Sequence, residues 1–301
     1  MRVYESCVGL NTIVAPHQIP YTSGEKVWLA SCSNIDITDA HKIRRRDGVG
    51  LVRAQSYGGC SSCFDAGDFI VYVEGDALSI RDRSGTTTQL RTVTRGAPMS
   101  CVRMLQGIFH TNGVEHGIIR SDRLAYAWSP LVSDVNITIA KSYAEPQVGH
   151  LLAEFGGSLL YAYQDYIFKS KPYNPFLFNF DEDRQPVDSP ARMIKEVEGG
   201  MWVSDQEQIM FFSGRDFLNL ERFPRHAKPA VQGTDVYVEQ NEVIPDLPKG
   251  RGVLVTAEDA ILLLATDGTA YDRSTRKITI PSGATGTAMI RGGQYLSLIH
   301  I

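Results

Sequence analysis

Six short stretches of similar character recur along the chain, and their spacing limits the folds that the sequence can adopt. Each one starts with a small or acidic turn and continues into apolar residues that favour β-strands. They are Gly67–Tyr72, Gln106–Phe109, Gly156–Tyr161, Gly199–Val203, Glu258–Leu263 and Gly292–Leu296. Their average spacing of about 45 residues is the length of one β-propeller blade of four short strands. The repeat therefore predicts a single β-propeller of about six blades.

The rest of the chain also indicates an all-β fold. No segment of a dozen residues combines apolar positions at helical spacing with capping signals. Turns that contain Gly, Asp, Ser or Pro instead separate runs rich in Val, Ile, Tyr, Phe and Thr. Ala260–Ala265 is continuously apolar, as expected of a strand covered on both faces. The mixed segment Ala270–Arg273 is expected nearer the rim.

The two ends of the sequence suggest how the ring closes. Gln294–Ile301 has the pattern of a strand, and the free edge of such a strand needs a partner. Val27–Ala30 and Asn34–Arg44 also have strand patterns. Pairing of the last strand with Ile35–Arg44 would build one blade from both ends. The alternative is that the sequence is part of a longer protein.

The first 26 residues lie outside the repeat. They contain Pro16, Pro20 and Gly24 and few strand signals, which favours an extended N-terminal arm. We therefore predict an arm over residues 1–26 and a propeller over residues 27–301. Such an arm could lie on its own propeller or reach a neighbouring subunit.

Composition and charge exclude several classes of protein. With 43% hydrophobic and 21% charged residues, the 301-residue chain has the composition of a soluble globular protein. A net charge of −4 gives no support for a nucleic-acid or membrane surface. The start of the sequence lacks the apolar core of a signal peptide, so we expect folding in the cytosol. Among five cysteines only Cys60 and Cys63 have metal-ligand spacing, and no second pair follows. Reduced thiols and no cofactor or metal are expected.

Residues that could support catalysis do not form a known motif. His110, Glu115 and His116 flank the hairpin signal Asn112-Gly113, and their spacing differs from that of a zinc-binding helix. Asp181–Asp183 lacks the ligand spacing of an EF-hand and is expected to be a solvated loop. We therefore expect no enzyme. A propeller glycoside hydrolase remains an alternative, because it needs a carboxylate pair that only geometry can reveal.

One segment is unusually aromatic. Eight aromatic residues lie within Tyr161–Phe180. Packing between blades is the more common use of such residues and is the interpretation that we favour. The alternative is a carbohydrate- or receptor-binding propeller that exposes part of this segment, in particular Tyr173.

The densest basic cluster comprises Lys42, Arg44, Arg45 and Arg46. On a strand, Arg44 and Arg46 would share one face while Arg45 points away. Contact with phosphate, a subunit interface and pairing with acidic turns are all compatible with this arrangement. We treat these four residues, together with Pro16 and Pro20, as a candidate subunit interface.

The N-terminal sequence resembles a known group of proteins. The pattern runs from Gly9-Leu10-Asn11 through Pro16 and Pro20 to Trp28-Leu29-Ala30, and then through Asn34-Ile35-Asp36-Ile37 to Ile43–Gly48. It is similar to bacteriophage virion proteins, namely the propeller-containing tail proteins of short-tailed phages, which include packaged-DNA stabilisation and tail-nozzle proteins. In that group an early Asn-x-Asp strand leads to an Arg-x-Gly turn. The chain is shorter than the nozzle proteins, which leaves that particular role open.

The resemblance implies a structural, non-enzymatic role in the virion. Its expected partners are other virion proteins, such as tail, portal or adaptor proteins, and further copies of the same chain in a homo-oligomeric ring. A passing contact with packaged DNA is compatible with such a position, and no membrane is involved. The protein would assemble in the host cytoplasm and reside in the virion.

Overall fold

A computed structural model describes residues 7–10, 27–29, 35–37, 43–45, 60–129, 143–274, 279–291 and 294–300. Strands dominate this part of the chain. Its one α-helix, α1, has four residues, Gln240–Val243, and a short 3-10 helix covers Phe217–Asn219. The predicted all-β fold is confirmed.

Five antiparallel sheets follow one another along the chain, and in each the first four strands pair in sequence order. Sheet 1 consists of β5 (Cys60–Asp65), β6 (Phe69–Glu74), β7 (Ala77–Asp82) and β8 (Thr87–Thr92). Sheet 2 consists of β9 (Ser100–Met104), β10 (Gly107–Thr111), β11 (His116–Ile119) and β12 (Ala125–Tyr126). Sheet 3 consists of β13 (Leu151–Phe155), β14 (Ser158–Tyr163), β15 (Tyr166–Lys171) and β16 (Asn174–Phe178), with β17 (Arg184–Pro186) also on β15.

The last two of these sheets continue the plan. Sheet 4 consists of β18 (Met193–Val197), β19 (Gly200–Ser204), β20 (Ile209–Ser213) and β21 (Glu221–His226). Sheet 5 consists of β22 (Val236–Glu239), β23 (Arg251–Thr256), β24 (Ile261–Leu264) and β25 (Ala270–Asp272). A hairpin of β26 (Thr285–Arg291) and β27 (Gln294–His300) follows. Successive four-stranded antiparallel sheets of this kind are the repeating unit of a β-propeller.

Hydrophobic clusters fill the spaces between consecutive sheets. Separate clusters join sheets 1 and 2, sheets 2 and 3, sheets 3 and 4, and sheets 4 and 5. Along β19, Met201 faces the cluster shared with sheet 3, whereas Trp202 faces the cluster shared with sheet 5. Because neighbouring residues of a strand point to opposite faces, a strand covered on both sides must be apolar at every position. This requirement explains the continuous apolar runs in the sequence.

Four of the predicted stretches lead into the second strand of a sheet, and one leads into the third strand. The stretches from Gly67, Gln106, Gly156 and Gly199 each contain the turn into the second strand of a sheet. Glu258–Leu263 instead contains the turn into the third strand, β24. The true second strand, β23, follows α1 rather than a tight turn, which hides its signal. The expected rim position of Ala270–Arg273 is confirmed, since β25 is the outermost strand and is only half-buried.

The turns of neighbouring sheets contact each other at one end of the strands. The turn between the third and fourth strands of a sheet contacts the turn between the first and second strands of the preceding sheet. Arg123 stacks over Phe69 at 5.2 Å, and the side-chain amide of Gln106 donates to the carbonyl of Tyr173 at 2.9 Å. Phe217 lies 6.2 Å from Phe155 between ring centres. We call this edge, with all of its 1–2 and 3–4 turns, the turn face.

Within the first 59 residues, the structure describes four short strands. β1 (Cys7–Leu10) pairs in parallel with β2 (Val27–Leu29), and β3 (Ile35–Ile37) pairs with β4 (Ile43–Arg45) as an antiparallel hairpin. Part of the predicted arm is thus a paired strand, and its remainder, with Pro16 and Pro20, lies outside the described residues. The described partner of β27 is β26, so the predicted closing pair with Ile35–Arg44 stays a prediction.

Trp202 offers a test of the packing between sheets 4 and 5. Its ring is fully buried, and its indole N–H donates to the carbonyl of Ala265 in sheet 5 at 2.9 Å. We expect Trp202→Ala to lower the free energy of unfolding by about 3–5 kcal/mol, because it leaves a large cavity. Trp202→Phe should cost less, since it retains a ring and loses the hydrogen bond. Chemical denaturation measures both values. The exposed Val114→Ala is the control, and an equal effect at Val114 and Trp202 would contradict this packing.

Candidate functional site

A cavity of about 980 Å³ lies between the first strands of the sheets. Residues of β5, β9, β13, β18, β22 and β26 line it, so every described four-stranded sheet contributes its innermost strand. A shared cavity bordered by the first strand of each sheet is the central channel of a propeller. Its size falls in the range of ligand-binding pockets.

Charged side chains of both signs line this cavity. The basic residues are Arg95, Arg103, Lys195, Arg215 and Arg251. The acidic residues are Glu154, Glu196, Glu198 and Asp235. The mixture produces no single-sign field that would select a polyanion or a polycation.

The best-defined group in the cavity surrounds Lys195. Its ammonium lies 2.7 Å from the carboxylate of Asp235 and 4.9 Å from the ring centre of Tyr237. The guanidinium carbon of Arg251 also lies over Tyr237, at 3.6 Å from the ring centre. Burial has the largest single influence and would lower the pKa of Lys195, but Asp235 and Tyr237 together outweigh it and raise the pKa. Lys195 therefore stays charged and joins sheet 4 to sheet 5.

Two glutamates occupy equivalent positions on adjacent first strands. Glu154 in β13 and Glu196 in β18 each lie four residues before the second strand of their sheet. The carboxylate of Glu196 accepts a hydrogen bond from the backbone N–H of Gly156 at 2.9 Å. Burial raises the pKa of Glu196, the Gly156 hydrogen bond opposes the rise, and the nearby Glu154 charge adds to it. One carboxyl is thus half-buried with a raised pKa, while the other is exposed.

Two thiols also line the cavity, on neighbouring strands. Cys63 in β5 is exposed and Cys101 in β9 is partly buried, and neither forms a disulfide bond. Burial raises the pKa of Cys101 to about 12, and the neighbouring Cys63 adds to the rise. A thiol with so high a pKa is a poor nucleophile near neutral pH.

The turn face carries most of the exposed apolar surface. Eight large hydrophobic side chains are exposed among the described residues. Four of them lie in 1–2 and 3–4 turns, namely Leu105, Leu124, Tyr173 and Leu218, and Met289 and Ile290 lie near the end of β26. The other two are Val114, on the opposite edge, and Phe223, on an outer strand. The two edges of the propeller therefore differ in polarity.

Tyr173 and Leu105 form the centre of this apolar surface. Leu105 is 91% exposed and Tyr173 is 69% exposed. The hydrogen bond from Gln106 to the Tyr173 carbonyl places the two side by side, although they belong to sheets 2 and 3. Sequence analysis missed Leu105 and Leu218 as surface residues because a single leucine in a turn carries no pattern.

The aromatic segment Tyr161–Phe180 mostly packs inside the protein. Tyr161, Phe168, Phe176 and Phe178 are buried in the cluster between sheets 2 and 3. Trp128 lies among them and donates its indole N–H to the carbonyl of Pro175 at 2.8 Å. The packing interpretation is confirmed for these residues. Tyr173 is the member of the segment that is largely exposed.

The other residues singled out from the sequence fall outside the cavity or the described chain. His110 lies fully buried in β10, and burial lowers its pKa to about 3, so it is a neutral core residue. Asp181–Asp183 forms a turn before β17, where the Asn179 side chain accepts the N–H groups of Asp181 and Glu182. Of the basic cluster, Arg44 and Arg45 lie in β4, whereas Lys42 and Arg46 are not described.

The described part of the chain lacks a membrane-spanning helix and a cluster of metal ligands. No helix there is long and apolar enough to cross a membrane. No group of three or more His, Cys, Asp or Glu side chains is placed there to hold a metal ion.

Comparisons with known proteins bear on the fold alone. No family model and no curated protein matches the sequence. The structure is similar to the extracellular domain of a B. thetaiotaomicron protein assigned as a one-component system, with a TM-score of 0.52 and 10% identity over 84% of this chain. The chain spans only 32% of the length of that protein. At this identity the likeness concerns the fold.

Two further solved structures overlap more weakly. Virginiamycin B lyase from Staphylococcus aureus has a TM-score of 0.45 at 10% identity, covering 76% of this chain and 73% of its own. Hsv2 from Kluyveromyces marxianus has a TM-score of 0.42 at 11% identity, covering 78% and 81%. Because both TM-scores are below 0.5, these two similarities say nothing about function.

The raised pKa of Glu196 predicts a pH-dependent stability. A carboxyl whose pKa is raised by folding contributes stability below its ordinary pKa, and this contribution is lost as the pH rises through the folded value. Glu196→Gln can still accept the Gly156 hydrogen bond without a charge. We therefore expect Glu196→Gln to raise the Tm by about 2 °C at pH 7 and to lose this advantage near pH 4. Thermal denaturation at both pH values measures the effect.

The exposed Glu154 provides the matched control. Glu154→Gln removes a carboxylate from the equivalent position on the neighbouring strand and should change the Tm less at either pH. A lower Tm for Glu196→Gln at pH 7 would show that Glu196 is stabilised as a carboxylate.

Proposed function

We propose that this chain is a structural, non-enzymatic component of a bacteriophage virion that acts by assembling with other protein subunits. The observation that carries the proposal is the one-sided distribution of exposed apolar side chains on the turn face. A soluble monomer rarely concentrates such residues on one edge, whereas protein interfaces commonly do. The resemblance of Gly9–Gly48 to phage virion propellers supports the choice of assembly.

The proposed partners follow from the same resemblance. They are further copies of this chain in a homo-oligomeric ring and other virion proteins of the tail or the portal–adaptor region. The basic residues Lys42, Arg44, Arg45 and Arg46 and the proline-containing segment with Pro16 and Pro20 would contribute to these contacts. Mixed charge in the central cavity gives no reason to assign it to DNA binding.

The propeller itself would have six blades. Five sheets of at least four strands are complete, and two two-stranded hairpins remain, β3–β4 and β26–β27. β26 lines the central cavity in the position of a first strand. Pairing of β27 with the β3–β4 hairpin would make a sixth four-stranded sheet and remove the free edges.

Hydrogen exchange can test this closure. Alternate amides of β27 face β26, and the others would face β3–β4 in a closed ring. We expect both sets of amides to be protected in the full chain, because both would be hydrogen-bonded. Residue-resolved exchange rates over Gln294–His300 are the measurement, with the interior strand β14 as reference. Rapid exchange of one alternate set would mean that the ring is not closed in this way.

The assembly proposal predicts an oligomer that depends on the turn face. Mass photometry and light scattering should find the wild-type chain in an assembly of defined copy number. We expect the triple variant Leu105→Ser, Tyr173→Ser and Leu218→Ser to be monomeric with nearly unchanged Tm, since all three side chains are exposed. Val114→Ser, on the opposite edge, is the matched control. A wild-type monomer, or an assembly unaffected by the triple variant, would contradict the proposal.

The location in the virion has its own test. Mass spectrometry of purified phage particles that encode this chain should detect it at a fixed copy number per particle. Absence from particles that otherwise contain the complete tail would exclude a virion component.

A second candidate is a propeller glycoside hydrolase, and one observation favours it. Glu154 and Glu196 line the same cavity from adjacent first strands, and burial raises the pKa of Glu196 whereas Glu154 is exposed. Glu196 would serve as the general acid and Glu154 as the second carboxylate of such an enzyme. Hydrolysis of a panel of aryl glycosides by the wild type and by Glu196→Gln decides between the candidates. Equal, background-level rates would remove this candidate.

A further inference from the structure

We propose that the apolar patch of Leu105, Tyr173 and Leu218 on the turn face receives the segment Ile13–Tyr21 of a neighbouring copy of this chain. The inference rests on the proposed assembly and names the receiving surface and its occupant. The receiving surface and the segment that would bind it are more than 80 residues apart in the sequence.

Contacts with Gly157 and Gln106 fix the conformation of Tyr173. Its backbone has a φ of 58°, in the left-handed region that non-glycine residues seldom adopt. Its N–H donates to the carbonyl of Gly157 at 2.9 Å, and its own carbonyl accepts the Gln106 side chain at 2.9 Å. Its ring lies so close to Gly157 that a Cβ there would be 2.9 Å from the ring. Arg123 and Gln164 adopt the same backbone region in other hairpin turns, so what distinguishes Tyr173 is that its two hydrogen bonds and the contact with Gly157 fix an exposed ring.

This preorganisation favours binding of an apolar partner. An exposed aromatic ring that is already fixed loses little conformational entropy when a partner covers it. Leu105 directly precedes Gln106, whose side chain donates to the Tyr173 carbonyl from sheet 2. On the side of sheet 4, the Phe217 ring lies 6.2 Å from the Phe155 ring, and the residues that follow these two rings in the chain are Leu218 and the Gly156-Gly157 turn. An aromatic anchor flanked by aliphatic side chains is the usual composition of an interface hot spot.

The sequence contains one segment with matching chemistry. Residues 6–24 include no Asp, Glu, Lys or Arg in a chain with 21% charged residues. Within Ile13–Tyr21, the large apolar side chains around the two prolines are Ile13, Val14, Ile19 and Tyr21. Proline has no N–H to donate to a sheet ladder, so this segment is poorly suited to adding a strand. It is better suited to a surface that binds side chains, as the patch does.

The paired strands β1 and β2 decide how the segment would be presented. They hold both of its ends, because Leu10 and Leu29 are paired neighbours and Cys7 pairs with Val27. Residues 11–26 are long enough to extend out and back over about 26 Å. Because strands hold the chain on both sides of the segment, its binding costs less entropy than that of a free arm. A neighbouring subunit within that reach is the occupant that fits the proposed ring.

Photo-cross-linking can test the contact in the full chain. Benzoylphenylalanine is placed at position 105 in one sample and, as control, at position 114 on the opposite edge. Mixing ¹⁵N-labelled and unlabelled protein before irradiation distinguishes cross-links between copies from those within one copy. We expect mass spectrometry to find cross-links from position 105 to residues 13–21 of another copy, and none from position 114. Cross-links from 105 to a different segment, or equally from 114, would overturn the inference and leave the assembly standing.

A second measurement tests the contact without a cross-linking residue. Ile19→Asp places a charge in the segment and should raise the dissociation constant of the assembly at least about tenfold, as loss of a hot-spot contact does. Ser23→Asp places the same charge just outside it and should have little effect. Equal effects of the two substitutions, or none from Ile19→Asp, would overturn the inference. A wild-type chain that is monomeric and gives no cross-links between copies would overturn the proposed assembly as well.

Discussion

The second strands of the middle sheets carry apolar side chains on both faces, and the need to bury both faces is the constraint on which the structure depends. In β14 and β19 every residue but one is buried, and alternate residues belong to different clusters. No such sheet can satisfy both faces alone, since one sheet has only solvent on each side. Each sheet must lie between two others, and repetition of that arrangement turns a series of sheets into a propeller. The large aromatic residues, such as Tyr161 and Trp202, are used for this packing.

Once the faces are covered, chemistry is confined to the strand edges and turns. The innermost strands border a cavity in which Lys195, Asp235, Tyr237 and Arg251 satisfy one another. A half-buried ion pair whose lysine, like Arg251, lies over the ring of Tyr237 is a structural connection between sheets 4 and 5 as much as a site. The turns form two edges of different character. One edge is apolar around Leu105 and Tyr173, whereas polar contacts such as those from Glu115 to Thr94 and from Arg192 to Glu258 lie on the other.

The sequence predicts the structure best where a residue's role depends on the pattern of its near neighbours. Turn signals followed by apolar runs located the second strands of four sheets, and the aromatic segment was correctly assigned to packing. The repeat at Glu258 was assigned to the wrong strand, because α1 replaces the tight turn before β23. The pair of Glu154 and Glu196 was not found, since two glutamates 42 residues apart become neighbours only when adjacent sheets place their first strands side by side. Leu105, Tyr173 and Leu218 come together for the same reason, through contacts between turns of different sheets.

The sequence alone determined that this chain is built of short, repeated, antiparallel strands with both faces buried. That information is local, because the period of apolar residues and the turn residues act within a few positions. Only the tertiary structure decided which turns share an edge, which charges share the cavity and which of many aromatic residues stays exposed. Those properties depend on the order and spacing of whole sheets around a common axis. A propeller's surface is therefore assembled from residues that are distant in sequence, and its core from residues that are close.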